Sequence, residues 1–405
     1  MNEVKNIPRL RFPEFSGDFE SKIFDDIVNI TRLAGYEYSS YWEEDQNEEI
    51  IALRGYNIGK GFLNLYNLGY ISNELSNQLI RSRLFKNDIV YPCVGSIGNA
   101  VVIEENDKYH IQQNIAKITP RGGVYSYFIS HFLMSSLGMR EVLKFNATSS
   151  QPNVLVGSLR KFRINVPSLL EQQKIADFLT AVDKRIELLE KKKTLLETYK
   201  KGVMKKIFNQ KIRFKDDSGN DVPDWEEKKL GEIGEIVTGK TPSTSNKSYW
   251  NGQIQFITPT DIHSGIKYQR DTTRTVTEFK GIKILPVGSI VYTCIASIGK
   301  MAITKNPSIT NQQINSIITK DINTEFLYYS LQYLTPRIQS LKSTTTLPII
   351  NKTEFTGFKI HCPAIIEQVK ISKFLSSIDT QLELLETQID KSKTWKKGLL
   401  QKMFV

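Results

Sequence analysis

The 405 residues carry 54 Lys and Arg against 43 Asp and Glu, a formal charge of +11, with 40% apolar residues. That length suffices for two or three domains with real cores, and the basic excess favours a polyanionic partner through counterion release. No run approaches the roughly 18 apolar residues of a membrane span, the start MNEVKNIPRLRF lacks an apolar signal core, and three scattered cysteines (Cys93, Cys294, Cys362) form no disulfide framework or zinc site. The expectation is a cytoplasmic protein in a reducing compartment, with no membrane partner.

In chain order, residues 1–19 form a short lead-in and 20–167 a mixed α and β domain. Runs at 88–93 and 100–104 are rich in Val and Ile and broken by Gly, which predicts strands, and 125–145 has helical spacing. Residues 33–42, LAGYEYSSYW, read as a polar loop. From 168 to 210 a single apolar stripe (Ile175, Leu179, Val182, Ile186, Leu189, Leu196, Val203, Ile207) predicts one long helix with a narrow seam. Ser168 and Glu171 predict a reciprocal capping box at its start. About 38 helical residues would span roughly 57 Å, a spacer.

A linker, 211–224, leads to a second domain, 225–363, with predicted strands at 289–294 and 300–304 and helical spacing at 325–342. Its polar loop, TGKTPSTSNKSYWNG at 238–252, differs completely from that of the first domain. The last segment, 364–405, repeats the stripe with Ile371, Leu375, Ile378, Leu382, Leu385, Ile389, Leu399 and Met403, but has Ala364 at the cap, which predicts a fraying first turn. Only Lys193, Lys200, Ser392 and Lys396 interrupt the two seams.

The chain is therefore two copies of one unit. Residues 84–120 match 284–320: Tyr91, Cys93, Ser96, Ile97 and Gly98 with Tyr292, Cys294, Ser297, Ile298 and Gly299, and Gln112 and Gln113 with Gln312 and Gln313. Pro152 matches Pro348, Pro167 matches Pro363, Arg11 and Phe12 match Arg213 and Phe214, and Phe19 matches Trp225. The expected fold is α+β: two similar domains joined by two long antiparallel coiled-coil helices, with an internal pseudo-two-fold repeat. Two like domains at a fixed separation suit a duplex read as two half-sites, and the differing loops imply differing half-sites. Four residues inserted near Glu190 would lengthen the spacer by about 6 Å, near two base-pair steps.

Catalytic readings fail on the inventory. Residues 234–241, GEIVTGKT, satisfy the phosphate-loop pattern, but no apolar strand precedes them and no helical run follows. The four histidines, His110, His131, His263 and His361, are dispersed, no Pro-Pro dipeptide exists for an amino-methyltransferase loop, and Pro223, Asp224, Glu226 and Lys228 make only a superficial nuclease motif. Binding chemistry remains. The first domain offers Tyr36, Tyr38, Ser39, Tyr41, Gln112, Gln113, Ser149 and Gln151; the second offers Lys240, Thr241, Ser243, Thr244, Tyr249, Gln312, Gln313, Thr344 and Thr345. Such side chains hold phosphates or read base edges. The glutamines, shared by both copies, suit a role in the common fold better than one in reading differing sequences, and the Thr and Ser runs equally suit plain loops.

The duplicated Pro-x-x-x-Glu-Gln openings, PSLLEQQKIADFLTAVD and PAIIEQVKISKFLSSID, together with GSIG, ASIG and GKTPS, resemble the specificity subunit of type I restriction-modification systems over the whole chain. The resemblance implies two target-recognition domains and no catalysis by this chain. It implies an asymmetric, bipartite DNA target, two adenine-methylating modification subunits that bring S-adenosylmethionine, and a restriction subunit working with ATP and Mg. A stand-alone DNA-binding regulator and a coiled-coil interaction scaffold stay open as alternatives.

Overall fold

The computed structural model describes residues 6–145, 153–279, 281–342 and 348–405. Contacts divide the chain into two compact units, 1–191 with 385–405, and 192–384. Both cuts fall inside long helices, Leu169–Phe208 and Ile365–Met403, so each unit holds a globular domain, the opening part of the helix that follows it, and the closing part of the other helix.

In unit 1, Glu20–Ile23 pairs antiparallel with Arg163–Val166 and so closes the domain on itself. A four-stranded antiparallel sheet runs Val28–Thr31, Ile115–Pro120, Ile89–Pro92, Val101–Val102. A three-stranded sheet runs Gly69–Ile71, Ile50–Leu53, Tyr109–Ile111, with the last pair parallel. The predicted strand runs lie in these sheets. The helical segment 125–145 is two helices, Ser126–Met134 and Ser136–Lys144, because the Ser135 hydroxyl accepts the N–H groups of Leu137 (3.1 Å) and Gly138 (3.2 Å) and starts a new helix.

Unit 2 repeats this order. Glu226–Lys229 pairs with Lys359–Cys362; the larger sheet runs Gly234–Thr238, Ile314–Thr319, Ile290–Thr293, Met301–Ile303; the smaller runs Arg274–Val276, Trp250–Ile257, Ser308–Thr310. The phosphate-loop pattern is thus an edge strand followed by an irregular turn, with no helix to aim N–H groups at an anion. The Ser-Ile-Gly turn of both copies needs a left-handed glycine, Gly98 at φ 85° and Gly299 at φ 96°.

The apolar stripes are buried toward the ends of the helices, as the spacing predicts, while Leu189, Leu196 and Leu382 between them are only half-buried. In unit 1, Ile175, Leu179, Val182 and Ile186 share one core with Leu399, Met403 and Phe404, on which Phe128 and Phe132 also pack. In unit 2, Val203, Ile207 and Phe208 share a core with Ile371, Leu375 and Ile378. Beginnings meet ends in both, so the helices are antiparallel. Two of the three lysines that interrupt the seams are paired at equivalent places: Lys396 Nζ lies 2.5 Å from Asp183 in unit 1, and Lys200 Nζ lies 2.6 Å from Asp379 in unit 2.

The Glu-Gln pair that opens each long helix fastens three parts of its unit together. Gln172 Nε2 donates to the Pro167 carbonyl (2.9 Å) while its Oε1 accepts Tyr125 N–H (2.9 Å); Gln368 does the same with Pro363 (2.8 Å) and Asn323 (2.9 Å). Glu171, 1% exposed, receives Arg11 Nε (2.7 Å) and Nη2 (2.8 Å). Glu367, fully buried, receives Arg213 Nε (2.9 Å), the Phe214 N–H (3.0 Å) and Trp225 Nε1 (3.1 Å). The reciprocal capping box expected of Ser168 and Glu171 is only half made. Glu171 N–H reaches Ser168 Oγ at a long 3.4 Å, and the carboxylate turns to the guanidinium, a charge-assisted partner stronger than a backbone N–H. Nor does Ala364 delay the second helix, which begins at the equivalent residue, Ile365, held there by the same Glu and Gln contacts.

Candidate nucleic-acid interface

In unit 1 the stretch read as a polar loop is the helix Gly35–Tyr41. The Glu37 carboxylate accepts the Ala34 N–H (2.9 Å), satisfying an end of the first turn, and Trp42 anchors the other end against His110, ring centroids 5.6 Å apart. Helical geometry separates the four candidates. Tyr38 packs on Trp42 (5.5 Å), the Ser39 hydroxyl donates to the Tyr36 carbonyl (3.2 Å), and Tyr36 and Tyr41 project outward, 66% and 49% exposed.

Gln112 belongs to the same neighbourhood through a residue the sequence did not single out. Glu44 Oε1 accepts both Gln112 Nε2 (2.6 Å) and Trp42 Nε1 (2.9 Å), and its Oε2 pairs with Arg54 Nη2 at 2.5 Å. Arg54 Nη1 donates to the Tyr56 hydroxyl (2.9 Å), and that bond, with the charge of Glu44 working against burial, holds the guanidinium above its ordinary pKa. A carboxylate only accepts, so the amide nitrogen of Gln112 must face Glu44. The carbonyl oxygen and second N–H are left for a base edge, the combination adenine requires.

The repeat register of the glutamines is shifted by one from the sequence match. Gln112 N–H donates to the Leu53 carbonyl (3.0 Å) and Asn311 N–H to the Ile257 carbonyl (3.1 Å), so Gln112 corresponds to Asn311, and Gln113 to Gln312. The turn between Val102 and Tyr109 is shortened between Ile303 and Ser308, and the duplicated Gln-Gln conceals it. Gln113 is half-buried. Gln313 serves the fold: its Oε1 accepts Asn311 Nδ2 (2.9 Å) and its carbonyl accepts Cys294 N–H (2.8 Å).

In unit 2 the candidates gather at one corner of the smaller sheet. The Thr241 hydroxyl lies 2.7 Å from Gln312 Oε1, Ser243 shares a hydroxyl contact with Ser245 (2.7 Å), and the Ser243 carbonyl accepts Trp250 Nε1 (3.1 Å). Tyr249 packs on Phe279, centroids 5.1 Å apart, while Lys240 and Thr244 are exposed. Ser149, Gln151, Thr344 and Thr345 lie outside the described residues. The two surfaces differ in charge: the acidic run 43–49 flanks the first, and Lys240, Lys247 and Arg274 surround the second. Glu44, Arg54 and Arg274 left no signal in the sequence, because each sits in a stretch whose residues do not match those of the other copy.

The three cysteines are buried, and burial pushes each thiol up to about 11. Among the described residues no group of three or more His, Cys, Asp or Glu is placed to hold a metal, and no helix is long and apolar enough to cross a membrane.

Two copies of one α+β domain, each mounted on paired antiparallel helices and each carrying its own polar surface, define a duplicated recognition protein. The profile of the family described as type I restriction modification DNA specificity domain matches residues 17–198 and 223–392, and the chain belongs to that family. It is 34% identical over 186 residues to the type I restriction enzyme MjaIX specificity subunit of Methanocaldococcus jannaschii, a match covering 44% of this chain and 43% of that one. With the putative MjaX specificity subunit of the same organism it shares 23% identity over 96% of this chain and 94% of that one. The crystal structure of the type I restriction-modification S subunit from M. genitalium shares the fold at a TM-score of 0.60 and 17% identity, covering 98% and 99% of the two chains.

Proposed function

We propose that this chain is the specificity subunit of a type I restriction-modification complex, reading an asymmetric, bipartite sequence in double-stranded DNA. The observation that carries the reading is the pairing of one duplicated scaffold with two unlike polar surfaces: Tyr36, Tyr41 and a Glu44-oriented Gln112 in unit 1; Lys240, Thr241, Ser243 and Gln312 in unit 2. A scaffold repeated while its surface is not repeated serves two different targets in the same way. The chain itself does no chemistry in this reading. Two modification subunits, supplying S-adenosylmethionine, methylate adenine; a restriction subunit supplies ATP- and Mg-dependent cleavage; the assembly works in the cytoplasm. The named MjaIX and MjaX relatives support the subunit role.

The test is to express the chain with its candidate modification subunit and map adenine methylation at single-base resolution. A gapped two-part motif that appears only when this chain is present is the expected result. Intact partner binding with no new methylation would refute it, and specific DNA binding without any partner would favour the regulator.

A further inference from the structure

Arg274 lies on the smaller sheet of unit 2, at the first position of strand Arg274–Val276, opposite Phe256. Its guanidinium carbon sits 5.5 Å from the centre of the Trp250 ring. That ring is itself immobilised, by the bond from its Nε1 to the Ser243 carbonyl at 3.1 Å and by edge-to-face contact with Phe256 at 5.4 Å. Arg274 is exposed, and among the described residues it makes no ion pair. The platform, itself tied to the Ser243 carbonyl, restrains the guanidinium by cation–π attraction without consuming its N–H groups, so its donors remain available.

Unit 1 puts a guanidinium over the same register point by another route. The position equivalent to Arg274 is Gly69, paired with Ala52 as Arg274 is paired with Phe256. A Cβ at Gly69 would fall on the Glu44 carboxylate and stand 3.2 Å from Arg54 Nη2. The missing side chain thus makes room for the Glu44 carboxylate and the Arg54 guanidinium it holds, which is fastened by Glu44 and Tyr56 instead of by a tryptophan. Two unlike surfaces that converge on one guanidinium at one corner of the sheet have that feature in common and little else.

We propose that Arg274, held on Trp250, reads a guanine in the half-site recognised by unit 2. A restrained planar fork offers two parallel donors in a fixed direction, which the O6 and N7 acceptors of guanine in the major groove demand. A phosphate makes no such demand, and any flexible cation on the same surface, such as Lys240, would serve it equally. This assignment rests on the DNA-specificity reading above.

The test uses the full chain with its modification subunits. Methylation is mapped for the wild type and for Arg274→Gln, Arg274→Lys and Trp250→Leu, alongside binding of the complex to a duplex carrying the mapped motif and to duplexes altered at single positions. Arg274→Gln and Arg274→Lys are both expected to relax one guanine position of one half-site, with about ten- to a hundredfold lost discrimination there and the other half-site unchanged. Trp250→Leu is expected to relax the same position more weakly. The unchanged half-site, still methylated, reports that each variant folds and assembles. Should the wild type yield a gapped motif and the Arg274 variants keep both half-sites intact, the guanine assignment is wrong while the subunit role stands. Uniform weakening on every duplex, with Arg274→Lys restoring binding and no change in motif, makes Arg274 a phosphate contact and equally overturns the assignment. No motif from the wild type removes the subunit role, and the guanine assignment with it.

Discussion

The half-buried Lys396–Asp183 pair is expected to fix the register of the helix seam while adding little stability of its own. The two side chains are 13% and 26% exposed, and burial pushes the Asp183 carboxyl above the usual range even with Lys396 beside it, so desolvation outweighs the attraction. Removing one partner from such a pair leaves an uncompensated charge, whereas replacing both with apolar residues is close to neutral. Lys396→Met should therefore cost about 3 kcal/mol at pH 8, and Lys396→Met with Asp183→Leu about 0–1 kcal/mol. The single-variant cost should shrink on acidification. A carboxyl raised in the folded state binds a proton there before it does in the unfolded chain, so its penalty applies above the folded pKa and is relieved below it, by up to about 1.4 kcal/mol per pH unit. Urea unfolding of the wild type and both variants at pH 8 and pH 5 measures all four quantities. A single-variant cost under about 0.5 kcal/mol at both pH values, or a double variant as unstable as the single one, would refute the reasoning.

Glu367→Ala strips the partner from Arg213, the Phe214 N–H and Trp225 Nε1 at once, and should destabilise the chain by about 3–5 kcal/mol in urea melts, against under about 1 kcal/mol for a surface change such as Glu386→Ala. His131 is 3% exposed, and burial, with Lys396 nearby, pushes it down to about 3. A histidine lowered in the folded state lets the unfolded chain bind the extra proton, so its contribution is complete above about pH 6.5 and is lost as pH falls toward 3. His131→Tyr, which copies the Tyr329 that donates to Asp379 in unit 2 at 2.5 Å, should flatten that acid slope in pH-dependent unfolding. Cys93, Cys294 and Cys362 should resist iodoacetamide at pH 8 in the folded protein and react together once urea unfolds it, as followed by mass spectrometry. Exchanging residues 20–165 for the corresponding domain of another family member should change one half-site of the methylated motif; a change in both would show that the domains do not read independently.

Several features were legible in the sequence because they are written as local periods. Ile175, Leu179 and Val182, and again Ile371, Leu375 and Ile378, state a helical seam by spacing alone, and every one of them is buried. The duplication was equally readable, since strands such as Ile89–Pro92 and Ile290–Thr293 keep their residue types on a common scaffold. The Pro-x-x-x-Glu-Gln opening marked the helix starts, but its reason was hidden. Glu171 meets a partner 160 positions away, Arg11, and a capping box three residues long was the nearer explanation.

The recognition surface was the least legible part. Helical geometry, which places Tyr38 inward on Trp42 and Tyr36 outward, divided residues that are neighbours in sequence. Strand pairing joined residues that are not: Arg274 to Trp250, Gln112 to Glu44, Arg54 to the space left by Gly69. The sequence by itself determined the two domains, the strands and the two seams, because hydrophobic period is a property of neighbouring residues. The tertiary structure alone decided which polar side chains share a corner and which way their donors point, because that depends on contacts between segments whose separation carries no pattern.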